Sequence, residues 1–586
     1  MKYTPPLGWK LPISKGKNIS LIGIKCDYLL CLDLNTFYRE CILPGLFLLA
    51  EYEGKRYSKS DKEAGINQTL DSLCQTEPMQ AWQNHKDLLL EWLQQSIFKV
   101  GKAGLNRQKD KILFFYPLTY SSYRKAELKS NLIRDIPHFL YQLLTNYIQA
   151  KYKSDSNTIS RVLPNIFRRI FQYEEIDFNL KSSSNSTRPG VSKHPHNRKL
   201  DLEAWLSDLI HSQFEEPEPG RYNISVHPPI LKNCAYRLAQ NIFYFSAFFQ
   251  KYLTPQELIK RLTTLICFEI YIYVLNYIQG LRHLYYNKQF PDCFKSTSDA
   301  TVCTQFYVDC SKGNNFYSRQ LARLCLGEHL SQLPDFIYHQ IYFRTIDAII
   351  QHLNYENPER VKGWYSLRED PVKYFETIHQ AFINYENDKQ PNSPTIQAIE
   401  EIAREKIKDL VEQLKEEEEP DADLIHLDNI TRNNPTQVKR LVQILFEKQK
   451  SKAQSNIEQW WKEAAGILSV NEGIASGTAR RNTWAYDLSD ELLWILVHLF
   501  AIQGSAKPQR FLNLKAEKIR LVDFLQKLEK EYGILIDKVP VQYQGFYEYE
   551  QAAEQNRRAL QVRLSQMGFF RNYADDFQAQ FIQLYF

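Results

Sequence analysis

Apolar residues recur at spacings of three and four through much of this chain, and that rhythm predicts helices. Asp87–Phe98 (DLLLEWLQQSIF) is one such segment. Leu132–Ala150 is another, with Ile133, Ile136, Leu140, Leu143, Leu144, Tyr147 and Ile148 on one broad face. Pro137 lacks an amide hydrogen, so that helix either starts late or kinks there. Thr395–Glu418 repeats Ile396, Ile399, Ile402, Ile407, Leu410, Val411 and Leu414, until Glu416–Glu419 and Pro420 stop it. Leu262–Gly280 (LTTLICFEIYIYVLNYIQG) is apolar all round, which predicts a helix buried in a large core, joined there by Asn241–Phe249. It has the length of a membrane span, but Glu269 near a bilayer centre would cost about 2.5–3.5 kcal/mol. Burial inside protein carries no such cost, so no membrane contact is expected.

Strand-like runs are few: Ile19–Ile24, Ile112–Tyr116, Val302–Val308 and Ile534–Val539. The expected class is therefore mainly α and multi-domain, with a few short β elements. Three stretches divide the chain: residues 181–199 (KSSSNSTRPGVSKHPHNRK) and 384–395 (NYENDKQPNSPT), polar and unable to bury themselves, and the small-residue-rich Gly473–Arg481 (GIASGTARR). They bound an N-terminal helical domain (1–180), an aromatic-rich helical core (200–383), a charged helical region (396–480) and a C-terminal domain (481–586). The last is the best organised. Leu488–Ile502 has Ser489 as its N-cap, Leu521–Tyr532 closes on Gly533, Ile534–Val539 reads as a strand, and Glu550–Met567 is a third helix. That order suits a winged-helix-like unit or an ordinary packing domain.

Composition narrows the class. The chain has 586 residues, 13% of them aromatic, with 36 Tyr and 33 Phe against 21 Gly and 3 Met, so packing and interfaces lean on rings. A net charge of +5 excludes an overall cationic coating, and any polyanion contact must be local. Ten cysteines in this length do not form a disulfide framework. Met1 leads into Lys2, two prolines and a polar run rather than a secretory leader, so reduced thiols in a cytoplasm are expected.

One local excess stands out. Between Phe98 and Asp201 there are about 19 Lys and Arg against about 7 Asp and Glu, interleaved with aromatics. Such a stretch suits phosphate neutralisation, with Tyr116, Tyr120 and Tyr123 placed to stack on bases. Arg124, Lys125, Lys129, Arg168 and Arg169 are the expected phosphate contacts. A protein–protein surface is the competing reading, because Arg and Tyr also favour interfaces. Further along, Ile399–Asp423 is acidic and Arg432–Lys452 basic, which reads as two solvated helix faces that pair with each other.

Catalytic templates find little purchase. Asp110, the strand-like Ile112–Tyr116 and Glu127-Leu128-Lys129 give the residue order of a divalent-metal nuclease. That chemistry wants the Glu and the Lys on one face of a strand, whereas Glu127–Lys129 reads as helical. Cys293, Cys303, Cys310 and Cys325, with His283 and His329 nearby, offer zinc ligands but lack a close C-x₂₋₄-C pair, so buried free thiols are expected. No phosphate-binding glycine loop, H-E-x-x-H helix or nucleophile elbow occurs. No cofactor, metal or catalytic residue is expected.

Two segments carry a resemblance. YGILID followed by Asn556–Gln580 (NRRALQVRLSQMGFFRNYADDFQAQ) resembles the tails of large subunits encoded in bacterial DNA-modification defence clusters. Lys111–Leu118 (KILFFYPL) is similar to the restriction-side DptG subunit of DNA phosphorothioation systems. The resemblance implies a non-catalytic partner of an ATPase or helicase and of another restriction subunit. Together with the basic segment, it predicts an accessory subunit of an anti-phage restriction complex that contacts DNA and partner subunits. Two alternatives remain from other classes: a metal-dependent nuclease centred on Asp110 and Glu127, and a large helical subunit of a CRISPR-type complex.

Overall fold

The computed structural model describes residues 29–30, 32–57, 66–100, 112–120, 122, 135–152, 156–171, 206–207, 209–210, 219–223, 226–295, 302–387, 393–415, 434–467, 472–505, 514, 516–570 and 580–584. Helices dominate them, and every described strand belongs to a two-stranded pairing, so the fold is mainly α.

The predicted buried helix is the centre of the molecule. It runs from Pro255 to Asn287, longer than the apolar run alone, because its ends are well specified. The Thr254 side chain accepts from the Glu257 amide (3.3 Å) and Pro255 occupies the first turn, while Lys288 closes the far end in the left-handed conformation. Around it pack Lys232–Phe249, Leu333–Glu356, Gln437–Ala465 and Asp490–Ser505. Among the described residues, no helix is long and apolar enough to cross a membrane.

Glu269, whose charge argued against a bilayer, is fully buried and fully used. Its carboxylate accepts from Arg237 (3.1 and 3.3 Å), from Asn241 Nδ2 (2.6 Å) and from the Tyr532 hydroxyl (2.8 Å). Arg237 also donates to the Glu531 carbonyl and lies 4.4 Å from the Tyr532 ring centroid. This network clamps the C-terminal region onto the central helices. Buried ions persist when each lone pair and proton finds a partner, as here.

Other predicted elements fall where the pattern placed them. Lys86–Ser96 and Pro394–Lys415 are helices, and Ile136–Tyr152 starts just before Pro137, which therefore sits harmlessly in the first turn. Ser489 caps Asp490–Ser505 by accepting from the Leu492 amide (3.2 Å), and Gly533 ends its helix at φ 72°. A Cβ there would stand 2.0 Å from the Thr304 carbonyl oxygen, so glycine is required twice over. Ile112–Phe115 forms an antiparallel hairpin with Phe98–Val100; Ile19–Ile24 lies outside the described residues. The Pro394–Lys415 helix packs on Gln437–Ala465, whose first amides, Gln437 and Val438, donate to the Glu400 carboxylate.

The short strands join distant parts of the chain. Ile534–Leu535 pairs in parallel with Phe306–Tyr307, Asp309 bridges Asp487, and Ala485–Tyr486 pairs with Ala475–Ser476 in an antiparallel hairpin. Among the described residues the apolar interior is in two parts: a main core running from Leu29 to Ile582, and a smaller one beneath Ile66–Gln75, Lys86–Ser96 and the paired strands Phe98–Val100 and Ile112–Phe115.

Candidate interaction surface

Of the five expected phosphate contacts, Arg168 is the one whose side chain is described. It lies on the Ser156–Phe171 helix, bonded to Glu51, and its guanidinium stands 6.0 Å from the Tyr120 ring centroid. Tyr120 is buried and donates to the other oxygen of Glu51 (2.9 Å), so its ring is packed rather than offered to a base. Part of the Arg168 charge is thus neutralised inside the protein. Arg169 shares that helix, with its side chain outside the described residues; Arg124, Lys125 and Lys129 lie outside them too, as do Asp110 and Glu127.

Three of the four clustered cysteines make packing or backbone contacts, and Cys293 is buried. The Cys310 amide donates to Asn556 (2.7 Å), the Cys303 amide donates to Asn276 (2.7 Å), and Cys325 sulfur accepts from the Tyr307 amide (3.5 Å). Burial pushes the Cys310 and Cys325 thiols up to about 12. His329 is buried against Tyr486, whose hydroxyl lies 2.7 Å from Nδ1, and burial pulls its pKa down to about 4. Among the described residues, no group of three or more His, Cys, Asp or Glu side chains is arranged to hold a metal ion.

A different surface is built with more care. The loop after Phe306–Tyr307 turns on the buried Asp309 carboxylate. It accepts from the Ser311 amide (2.9 Å), the Ser311 and Ser318 hydroxyls (both 2.7 Å) and the Gly313 amide (2.9 Å). Lys312 and Gly313 both take positive φ to close the turn, and Asn315 caps the Phe316–Ser331 helix by accepting from the Ser318 amide (3.0 Å). The first two residues of that helix are then forced outward. Phe316 is 70% exposed and Tyr317 45%, their rings 5.4 Å apart.

The neighbouring helix, Tyr547–Gln566, is pinned as firmly. Buried Asn556 accepts from the Cys310 amide and donates to the carbonyls of Val308 (2.8 Å) and Ile536 (3.0 Å). Arg563 binds Asp490 and the Leu488 carbonyl (2.6 Å). At its outer end Val541, Phe546 and Tyr547 are exposed, and Phe546 and Tyr543 pack on Tyr549 at 5.8 and 6.2 Å. Asn315 donates to Gln555 across the seam (2.5 Å), and Glu328 accepts from Gln542 (3.1 Å). The result is an aromatic ridge in two parts, Phe316 and Tyr317 at the end of the seam beside Gln555 and Phe546 and Tyr547 toward the end beside Glu328, on helices that also carry Glu548, Glu550 and Glu554.

The family model for methylation-associated defense system protein MAD7 matches residues 21–585. The chain belongs to the MAD7 family. No curated protein and no solved structure matches it. The expectation of a defence protein linked to DNA modification, drawn from Lys111–Leu118 and Asn556–Gln580, therefore holds at that level. The MAD7 match takes in the ridge as well as the basic segment.

The pattern of apolar positions did not point to the ridge. None of Phe316, Tyr317, Phe546 and Tyr547 stands out in the sequence, and aromatic content alone does not separate core rings from surface ones. The usable signal was their place directly after Asn315 and Gly545, where a helix begins and little has yet packed on it.

Proposed function

We propose that this chain is a non-catalytic accessory subunit of a DNA-modification-linked, anti-phage restriction complex. It docks partner subunits, an ATPase or helicase among them, on the aromatic ridge and holds DNA against the basic segment of its first third. The observation that carries the reading is the ridge: large rings held outward by a polar anchor that uses nearly every donor available to it. Contiguous exposed apolar area on a soluble protein marks an interaction site, and aromatic side chains on a rigid base dominate interface energies. The DNA half rests on the cationic excess at residues 98–201.

Recovery of partner subunits in a native pull-down with the full chain tests the docking half. Phe316→Ala/Tyr547→Ala is expected to lower that recovery at least tenfold, since truncating two anchors costs about 2 kcal/mol or more. Undiminished recovery would remove the ridge from the reading. For the DNA half, Arg124→Ala/Lys125→Ala/Lys129→Ala is expected to weaken duplex binding and flatten its salt dependence by about one unit per lost phosphate contact. An unchanged titration would end the assignment of those three residues.

A further inference from the structure

A second cationic surface lies elsewhere, on the Gln437–Ala465 helix and the hairpin that rests on its C-terminal end. Lys448, Lys452, Ser455, Gln459 and Lys462 follow one another at steps of four, three, four and three, which places them on one stripe of the helix. The first four are exposed and Lys462 is half-buried. No ion pair of Lys448 or Lys452 occurs among the described residues. Ser455 and Gln459, between the lysines of the stripe, are neutral and polar, able to hydrogen-bond rather than repel an anion.

The hairpin continues the stripe. Arg481 bonds Glu458 (2.7 Å), and the Lys462 ammonium stands 5.4 Å from the Trp484 ring centroid, so the tip is fixed beside the lysines. Its backbone is stapled by its own side chains. The Thr478 amide donates to Thr483 Oγ1 (2.8 Å), and Trp484 Nε1 donates to the Thr478 carbonyl (2.8 Å). A Cβ on Gly477 would come within 2.6 Å of the Trp484 ring, so the turn fits one conformation. Arg480 and Arg481 are exposed at this rigid tip.

We propose that the lysine stripe and the Arg480–Arg481 hairpin tip bind the sugar–phosphate backbone of duplex nucleic acid. The stripe from Lys448 to Lys462 is about 21 Å long, and one strand of a duplex carries about six phosphates over that length. Among the described residues of this helix and hairpin no large aromatic side chain is exposed, which disfavours stacking on unpaired bases. The same lack of an apolar anchor disfavours a protein partner of the kind that suits the ridge. The surface is independent of residues 98–201 and adds a second point of contact on the same ligand.

The test is a salt titration of the full chain against a mixed-sequence DNA duplex, for wild type and Lys448→Ala/Lys452→Ala/Arg480→Ala. The variant is expected to bind at least tenfold more weakly, with a log Kd against log salt slope shallower by about 2–3. All three positions are exposed, and an unchanged circular dichroism melt confirms that the fold is intact. Affinity and slope equal to wild type would overturn the stripe while leaving the first-third segment standing. Wild type binding polyglutamate as tightly as duplex would overturn it in favour of an acidic protein partner. Absence of duplex binding by wild type would overturn both DNA surfaces at once.

Discussion

Glu269→Ala is expected to destabilise the protein by about 3–5 kcal/mol, because it leaves a buried guanidinium without its counter-charge. Arg237 has few alternatives. Its side chain is 7% exposed, and besides Glu269 it reaches the Glu531 carbonyl and the Cys234 sulfur (3.3 Å). Asn241 and the Tyr532 hydroxyl lose the same acceptor, with Asn241 keeping its bond to the Tyr532 oxygen (3.0 Å). Glu269→Gln keeps the shape and one acceptor oxygen and should cost less. Urea unfolding gives the measure, as a lower midpoint at unchanged slope. A shift worth under about 1 kcal/mol would mean that water reaches Arg237 and that the clamp is not closed.

Mild acid is the second large effect. Burial pulls His329 and His379 down to about 4, and His339 and His498 down to about 3. Neighbouring cations deepen the shift: Arg261 acts on His498, Arg282 on His339, and Lys439 and Lys288 on His379. In the unfolded chain all four titrate near about 6.5. As pH falls through that value the unfolded state takes up protons that the folded state refuses until about pH 4, so stability falls with pH. Each histidine contributes a loss of about 1.4 kcal/mol at pH 5.5, or roughly 6 kcal/mol for the four. Burial pushes the carboxyls of Glu400, Glu463, Glu491, Glu531 and Asp487 upward, which has the opposite sign and blunts the loss at the acid end. Thermal melts between pH 7.5 and 5.5 should show a steep fall in Tm, made shallower by His498→Gln. A flat profile would show that these imidazoles are open to solvent.

Much of the scaffold was legible because local chemistry decides it. Ser489 and Gly533 end their elements for reasons confined to a few residues, and an all-round apolar run containing Glu269 has few places to go but a protein core. Pairings between distant segments were not legible. Nothing near Ile534–Leu535 says that its partner is Phe306–Tyr307, since two-residue strands carry no register signal of their own. The surfaces fared unevenly. Charge counting finds the basic segment at residues 98–201 but cannot tell that Arg168 leans on Glu51. It also reads Arg432–Lys452 as a solvated face paired with the acidic helix before it. The two helices do pack, yet Lys448 and Lys452 remain exposed, because helix packing uses apolar stripes and leaves the polar side open.

The turn on Asp309 has a kinetic consequence. A loop whose amides and hydroxyls are already satisfied has little freedom left to surrender when something lands on Phe316 and Tyr317. Association there should proceed without a slow ordering step, at a speed governed by diffusion and by the orientation needed to dock two specific patches.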